Sequence, residues 1–545
     1  METRRVEGKL RTAFAFAALL APSAWLAWNF RDMPQLGTRH DDALYWVCAK
    51  ALAEGRGYRI LSLPGEPHQT KYPPLYPWLL SAIWRRDPDF PANLRWAALA
   101  AWLPLPLWLW LSRRFFLRCG FSSGAAWLLT ALVALNPYTL IYSLVLMTEI
   151  PFGCALLGIS LLLEGGDGKH AGLRGAAMAG ALAAATYLMR TAALPWLVAG
   201  PCWLALRKRY REAAVFAAMM MPAIAGWTWW VSAHATPARD EISLYYTNYL
   251  GYHLANFGLA DLPLLLRVNG AGLLEAVAGL LLFGILPGWE GKLLAVVVAG
   301  SAIGGVLLAV RRHQPGPLVI YGCLYFGMLL GWHLTEHDQF ERLILPTLPL
   351  FLCGVGATLA LMCHQMRAWW NRGDPARLVL LAAVGLAAGW VAWHWVLMYT
   401  AALAQIPGKY ELVRGDFQAQ LVEFETLRRG VAQHARVLSL HDVVVYLYTG
   451  RQGACPRVPS RLLYTRDEDA IRAYIAALPA FARDHGFDYI YWRRPTGAST
   501  DVGHKLSLPI SAVRAYLELG ERLAEYPGLA VIHRAPTFGI YRVLR

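Results

Sequence analysis

The chain has 545 residues, 57% of them hydrophobic and only 16% charged, with a mean hydropathy of +0.35. That excludes an ordinary soluble enzyme and, with the apolar residues in long runs, marks a polytopic membrane protein. The net charge of +15 does not point to nucleic acid, because many Lys and Arg lie in short links between apolar runs, where they set orientation and meet anionic membrane lipid.

An apolar helix needs about 20 residues to cross the hydrocarbon. Residues 12–30 are the first predicted span, retained as a helix with its basic METRRVEGKLR end inside. Its exit places the first loop, 31–94, outside. This loop contains Asp41 and Asp42, an amphipathic run, a turn at Gly55-Arg56-Gly57-Tyr58, and the segment Lys71-Tyr72-Pro73-Pro74. A short apolar patch at 75–84 is expected to lie in the interface.

Further spans are expected at 95–111, 122–146 with a kink at Asn136-Pro137, 152–163, 176–189, 192–206 and 213–232. Arg113, Arg114 and Arg118, and later Arg207 to Arg211, mark the inside links. Glu149 falls in a short outer turn, on the side of Asp41. The aromatic stretch 234–269 has no clear period. Residues 270–287 and 293–310 each resemble a span, and the basic trio after 310 allows only one of them to cross. Residues 317–334, 343–363 and 378–400 complete the set. The chain then makes about eleven to thirteen crossings, with the N-terminus inside and the C-terminus outside.

After about residue 404 the pattern changes. Amphipathic helical runs alternate with short β-branched or aromatic runs, ARVLSL, VVVYLYTG, FDYIYW, LAVIH and FGIYRVL. This predicts a small extracytoplasmic α/β domain over 404–545, long enough to bury its own core.

The chemistry-bearing residues gather on the outer side. Asp41 and Asp42 before an amphipathic run could cap a helix. Glu149, Lys71, Arg190 and the HDQFER segment, with His337, Glu341 and Arg342, shift that reading, since ionisable groups at membrane-helix ends are functional candidates. Carboxylates facing cations suit a base that activates a nucleophile while cations receive a departing anion. Lys71 before two prolines sits on stiff backbone, which suits phosphate binding; it could also be an interfacial lysine among aromatic anchors. His68 and His337 are the candidate ligands for a divalent metal, though lone histidines are more often polar surface residues. Tyr245, Tyr246, Tyr249, Tyr252 and His253 share a helical face, read as an interfacial helix, with contact to lipid or sugar as the sharper alternative.

Together these residues resemble the GT-C membrane glycosyltransferases, in the bacterial branch of aminoarabinose-to-lipid-A transferases and relatives of protein O-mannosyltransferases. The likeness rests on Asp41-Asp42-Ala43-Leu44-Tyr45, Gly55 to Tyr58, Lys71 to Pro74, Glu149, and Glu341-Arg342-Leu343-Ile344-Leu345-Pro346. It spans roughly residues 1–400 and implies a GT-C domain over 1–403. It also implies a multi-pass protein of a bacterial inner membrane, its site facing the periplasm. The activity implied is a hexosyl or pentosyl transfer from a polyprenyl-phosphate sugar to a glycolipid, an envelope glycan or a protein. Asp41 would be the base or would orient the acceptor hydroxyl, and Glu149 would help hold the acceptor or assist Asp41. Lys71, Arg190 and Arg342 would hold the donor phosphate, and Asp42, Tyr45, Tyr58, His337 and Glu341 would be secondary. Thr70 stands where the aminoarabinose branch has a Glu implicated in metal binding, which puts a metal in doubt. The rival reading is a transporter or flippase of lipid-linked sugars; related halves and mid-membrane charges would favour it, and neither is visible here.

Overall fold

A computed structural model describes residues 2–165, 172–235, 241–283, 289–311, 316–333, 340–371, 375–495 and 510–545. Among the described residues, six helices are long and apolar enough to cross a membrane, and four shorter apolar helices accompany them. Large apolar side chains such as Phe14, Trp28, Trp229 and Leu386 remain exposed on these helices, as a lipid-facing surface requires. This is a multi-pass membrane architecture.

Proline decides where several expected spans break. The 95–111 span is two helices, Leu94–Trp102 and Pro104–Arg118. The expected kink at Asn136-Pro137 is a full break between Ser123–Ala134 and Pro137–Tyr142, with the Asn136 side chain capping the second helix through the Tyr138 N–H. The ambiguous 270–287 segment belongs to a helix that starts earlier, Leu262–Leu282, with Pro263 in its first turn. Asn269 on that helix is buried, and its amide donates to the carbonyls of Leu329, Leu330 and Trp332 at the end of a neighbouring helix. Those carbonyls would otherwise be orphaned at a helix terminus.

The last apolar helix does not stop at 400. Pro375–Gly430 is continuous over 56 residues, so one helix runs through the position where the composition changes. Beyond it lies a five-stranded mixed sheet in the order β2-β1-β3-β5-β4: β1 is Val437–Leu438, β2 Gly453–Ala454, β3 Tyr489–Arg493, β4 Leu529–Arg534 and β5 Phe538–Val543. β1 runs parallel to β2 and β3, whereas β5 is antiparallel to β3 and β4. Of the five expected strand runs, VVVYLYTG is a helix, Asp442–Thr449. Its Val443, Val444 and Val445 are buried against neighbouring elements, and that packing overrides β-propensity.

The loop over 31–94 folds as its residues suggest. Gly55 and Gly57 take positive φ (72° and 80°). A short hairpin pairs Arg59 with His68, and the apolar patch expected at 75–84 is the helix Leu75–Arg86.

Candidate active site

Asp41 and Asp42 open the helix Asp41–Ala53, with the charge of Asp41 at the helix N-terminus and that of Lys50 in its last turn. The two carboxylates have different surroundings. Asp41 Oδ2 accepts from Arg342 Nη2 at 2.7 Å, and its Oδ1 accepts from the Tyr72 hydroxyl. Asp42 serves the local backbone, accepting from the N–H of Gly37 at 3.0 Å and of Ala43 at 2.9 Å. Burial pushes Asp42 up to about 7 against those two bonds. Burial also opposes ionisation of Asp41, but Arg342, Lys71 and the Tyr72 hydroxyl outweigh it and hold Asp41 well below the usual carboxylate range.

Lys71 is presented by a fixed turn. Gln69 Oε1 accepts from the N–H of Lys71 at 2.8 Å and of Tyr72 at 3.3 Å. The Tyr58 hydroxyl reaches the carbonyls of Tyr72 and Pro73. The ammonium lies 3.5 Å from the ring centre of Tyr245 and 4.6 Å from that of Tyr249, close enough for cation–π attraction.

Glu149 is the first residue of Glu149–Glu164 and is fully buried. Its Oε1 takes both Arg190 Nη1 and Arg342 Nε, each at 2.9 Å. Arg342 thus bridges the two carboxylates with different nitrogens, the use for which a planar guanidinium is suited. Arg190 sits just past the end of Gly172–Met189 on extended backbone, and Arg342 on the short helix Phe340–Ile344.

These groups meet at one cavity of about 580 Å³, lined by Asp41, Lys71, Arg190 and Arg342 together with Arg39 and Arg457. Glu149 lies behind the arginines, outside the lining. Tyr45, Tyr72, Tyr245, Tyr249, Trp227 and Trp332 supply aromatic wall. One ionised carboxylate among several cations, backed by apolar wall, can receive an anion that carries a hydrophobic body.

Of the secondary candidates, Tyr45 lines the cavity and Tyr58 supports the Lys71 turn. Glu341 does not join them. It lines a separate cavity with Arg267 and Tyr464, because successive residues of a helix point about 100° apart. His337 lies outside the described residues. His68 packs its ring against His234 and Trp230, with ring centres 4.2 and 5.4 Å away. Among the described residues no group of three or more His, Cys, Asp or Glu side chains is arranged to hold a metal ion. The Tyr245 face is not lipid-exposed: Tyr245, Tyr246 and Tyr252 are all buried, and Tyr245 and Tyr249 line the cavity.

Sequence reasoning missed Arg39 and Arg457. Arg39 stands two residues before Asp41, and Arg457 lies between two prolines, in Pro456-Arg457-Val458-Pro459, a stiff setting like that of Lys71. That signal was available. The placement of Arg457, from the C-terminal domain, was not.

No protein family and no functionally described protein matches the chain by sequence. Solved structures do. ArnT from Cupriavidus metallidurans bound to undecaprenyl phosphate is 13% identical, with a TM-score of 0.50 over 96% of this chain and 98% of that one. The oligosaccharyltransferase of Archaeoglobus fulgidus in the apo form is also 13% identical, at a TM-score of 0.49, over 97% of this chain and 74% of that one. The chain shares the fold of ArnT, a multi-helix membrane architecture, with a small mixed-sheet domain at its C-terminal side.

Proposed function

We propose that the chain is a membrane glycosyltransferase that moves a sugar from a polyprenyl-phosphate donor to an acceptor hydroxyl at the outer, periplasmic face of a bacterial inner membrane. The observation that carries this reading is the cavity itself, where Asp41 faces Lys71, Arg190 and Arg342. A protein of the same fold, ArnT, binds undecaprenyl phosphate, a ligand with the anionic head and apolar body that the lining suits.

In the proposed reaction the acceptor oxygen attacks the anomeric carbon, and the bond from that carbon to the phosphate oxygen breaks, with inversion. The acceptor proton passes to Asp41. The lipid phosphate departs as an anion held by Lys71, Arg190 and Arg342. With Arg342 on its carboxylate, Asp41 is a weak base. A phosphate that draws Arg342 and Lys71 toward itself removes the charges that depress Asp41, so donor binding raises its basicity. Glu149 keeps the two arginines oriented.

The test is transfer by the purified protein in lipid nanodiscs, using labelled polyprenyl-phosphate sugars, alongside mass spectrometry of envelope glycolipids, glycans and proteins from a deletion strain. The expected result is loss of one sugar modification in the strain, restored by the wild-type gene and not by Asp41→Asn. Full restoration by Asp41→Asn would sink the assignment of Asp41, and movement of a lipid-linked sugar across vesicles without transfer would favour a flippase.

A further inference from the structure

We infer that Asp442, in the C-terminal domain, is a positioning residue that holds the turn presenting Asp41, acting through His40. The inference deepens the glycosyltransferase reading and rests on it for the role of Asp41.

The turn before Asp41 has an uncommon backbone. His40 has φ 59° and ψ −50°, a left-handed setting that a residue with a side chain rarely adopts. The Asp41 N–H donates to the Arg39 carbonyl at 2.6 Å and closes a three-residue turn around it. Such a conformation persists only where the surroundings fix it.

The surroundings here come from the other end of the chain. His40 Nε2 lies 3.2 Å from Asp442 Oδ1 and 3.0 Å from the Tyr246 hydroxyl. The Tyr246 hydroxyl donates to Asp442 Oδ2 at 2.8 Å, so its proton is already used. His40 Nδ1 has no hydrogen-bond partner among the described residues. That pattern assigns the ring proton to Nε2, donated to Asp442. Asp442 and Tyr246 are each 1% exposed, so the contact is shielded from competing water.

A second contact acts on the same turn. Gly37 has φ +89°, and a Cβ there would overlap Val444 Cγ2, so the helix Asp442–Thr449 packs directly on the turn's start. The domain also grips the loop further on, through Gly453 N–H to the Ser62 carbonyl at 2.8 Å. If His40 relaxed, Asp41 would leave the position from which it meets Arg342 and Tyr72, and small misplacements of a reacting group are costly.

The test uses the full-length protein. Asp442→Asn keeps the size of the side chain and one acceptor oxygen. It should lower kcat for sugar transfer at least tenfold with donor KM unchanged, and speed amide exchange within 36–44. Tyr246→Phe, which removes one hydroxyl and no packing, should cause a smaller change of the same kind. In a His40→Gly background, Asp442→Asn should have no further effect on kcat. An Asp442→Asn protein with wild-type kcat and wild-type exchange in 36–44 overturns the inference. So does an equal loss of kcat with and without His40, because the effect would then not pass through the turn. A wild-type protein that transfers no sugar defeats the functional reading, and the exchange measurement alone then decides on the clamp.

Discussion

The guanidinium of Arg342 closes a 2.7 Å ion pair on Asp41, a residue 301 positions earlier in the chain. The same guanidinium holds Glu149 through Nε at 2.9 Å. The cation suited to a departing phosphate is therefore the one that keeps the proposed base ionised when the cavity holds no anion. In the proposed reaction, donor binding and base strength would be coupled through one side chain.

Replacing Asp41 by Asn should separate chemistry from assembly. The amide can still receive the Tyr72 hydroxyl, and Arg342 keeps Glu149, so the protein should insert and unfold much as the wild type does. General-base catalysis supplies about 10²–10⁴-fold, and kcat should fall by that order. Purified variant and wild type, compared for transfer and for thermal unfolding in detergent, give both readings.

The two adjacent aspartates are shifted in opposite directions. The folded pKa of Asp41 is depressed, so its stabilising charge is present above its unfolded value and is lost only as pH falls through the lower folded one. The kcat/KM profile should then show no acid limb from Asp41 down to about pH 5, and Arg342→Gln should bring one in at higher pH, because burial is left less opposed. Asp42, pushed up to about 7, keeps a proton that the unfolded chain releases near pH 4. Its contribution is present at low pH and lost as pH rises through about 7. Asp42→Asn should flatten the dependence of Tm on pH across that window.

Glu149 should matter more for assembly than its distance from solvent suggests. Its Oε1 carries both arginines, while Oε2 has no hydrogen-bond partner among the described residues. Glu149→Ala leaves two half-buried cations short of a counter-charge. Breaking a fully buried pair costs about 3–5 kcal/mol, and the loss here should fall below that because both arginines also face the cavity. Glu149→Gln keeps an oxygen for the arginines and places its amide where nothing else bonds, so the loss should be smaller. Unfolding midpoints of the two variants in one detergent decide between charge and shape.

Much of this site was legible because its chemistry is local. Asp41 before an amphipathic run, Lys71 before two prolines and Glu149 between two apolar runs all stand out against a 57% hydrophobic background. The choice of Asp41 over Asp42 came from the family resemblance alone; the turn at His40 that presents Asp41, and the contact it makes with Asp442 from the C-terminal domain, were not legible. The fold read similarly. Apolar runs located the spans, but Pro137, expected to kink a helix, proved to end one run and begin another. The run at 443–450, strand-like by composition, is helical because burial against its neighbours decides its state. Glu341, adjacent to Arg342 in sequence, shows the limit of proximity as a guide, for a helix sends neighbouring side chains in different directions.

Arg457 tests whether the C-terminal domain touches the ligand. It lines the cavity from the Pro456–Pro459 segment, with its guanidinium carbon 4.7 Å from the ring centre of Tyr245. That same ring carries Lys71 at 3.5 Å, so both cations bear on one wall. A hydrogen bond to a charged group contributes about 1.5–3 kcal/mol, and Arg457→Ala should raise the KM for its ligand roughly 10- to 100-fold by that measure. Titrating donor and acceptor separately identifies which of the two it serves. A rise confined to the donor places Arg457 with Lys71 on the phosphate, whereas a rise confined to the acceptor makes the C-terminal domain a specificity element. Lys71→Ala should raise donor KM alone, and the double variant should be less than additive only in the first case, because only then do the two side chains share a ligand group.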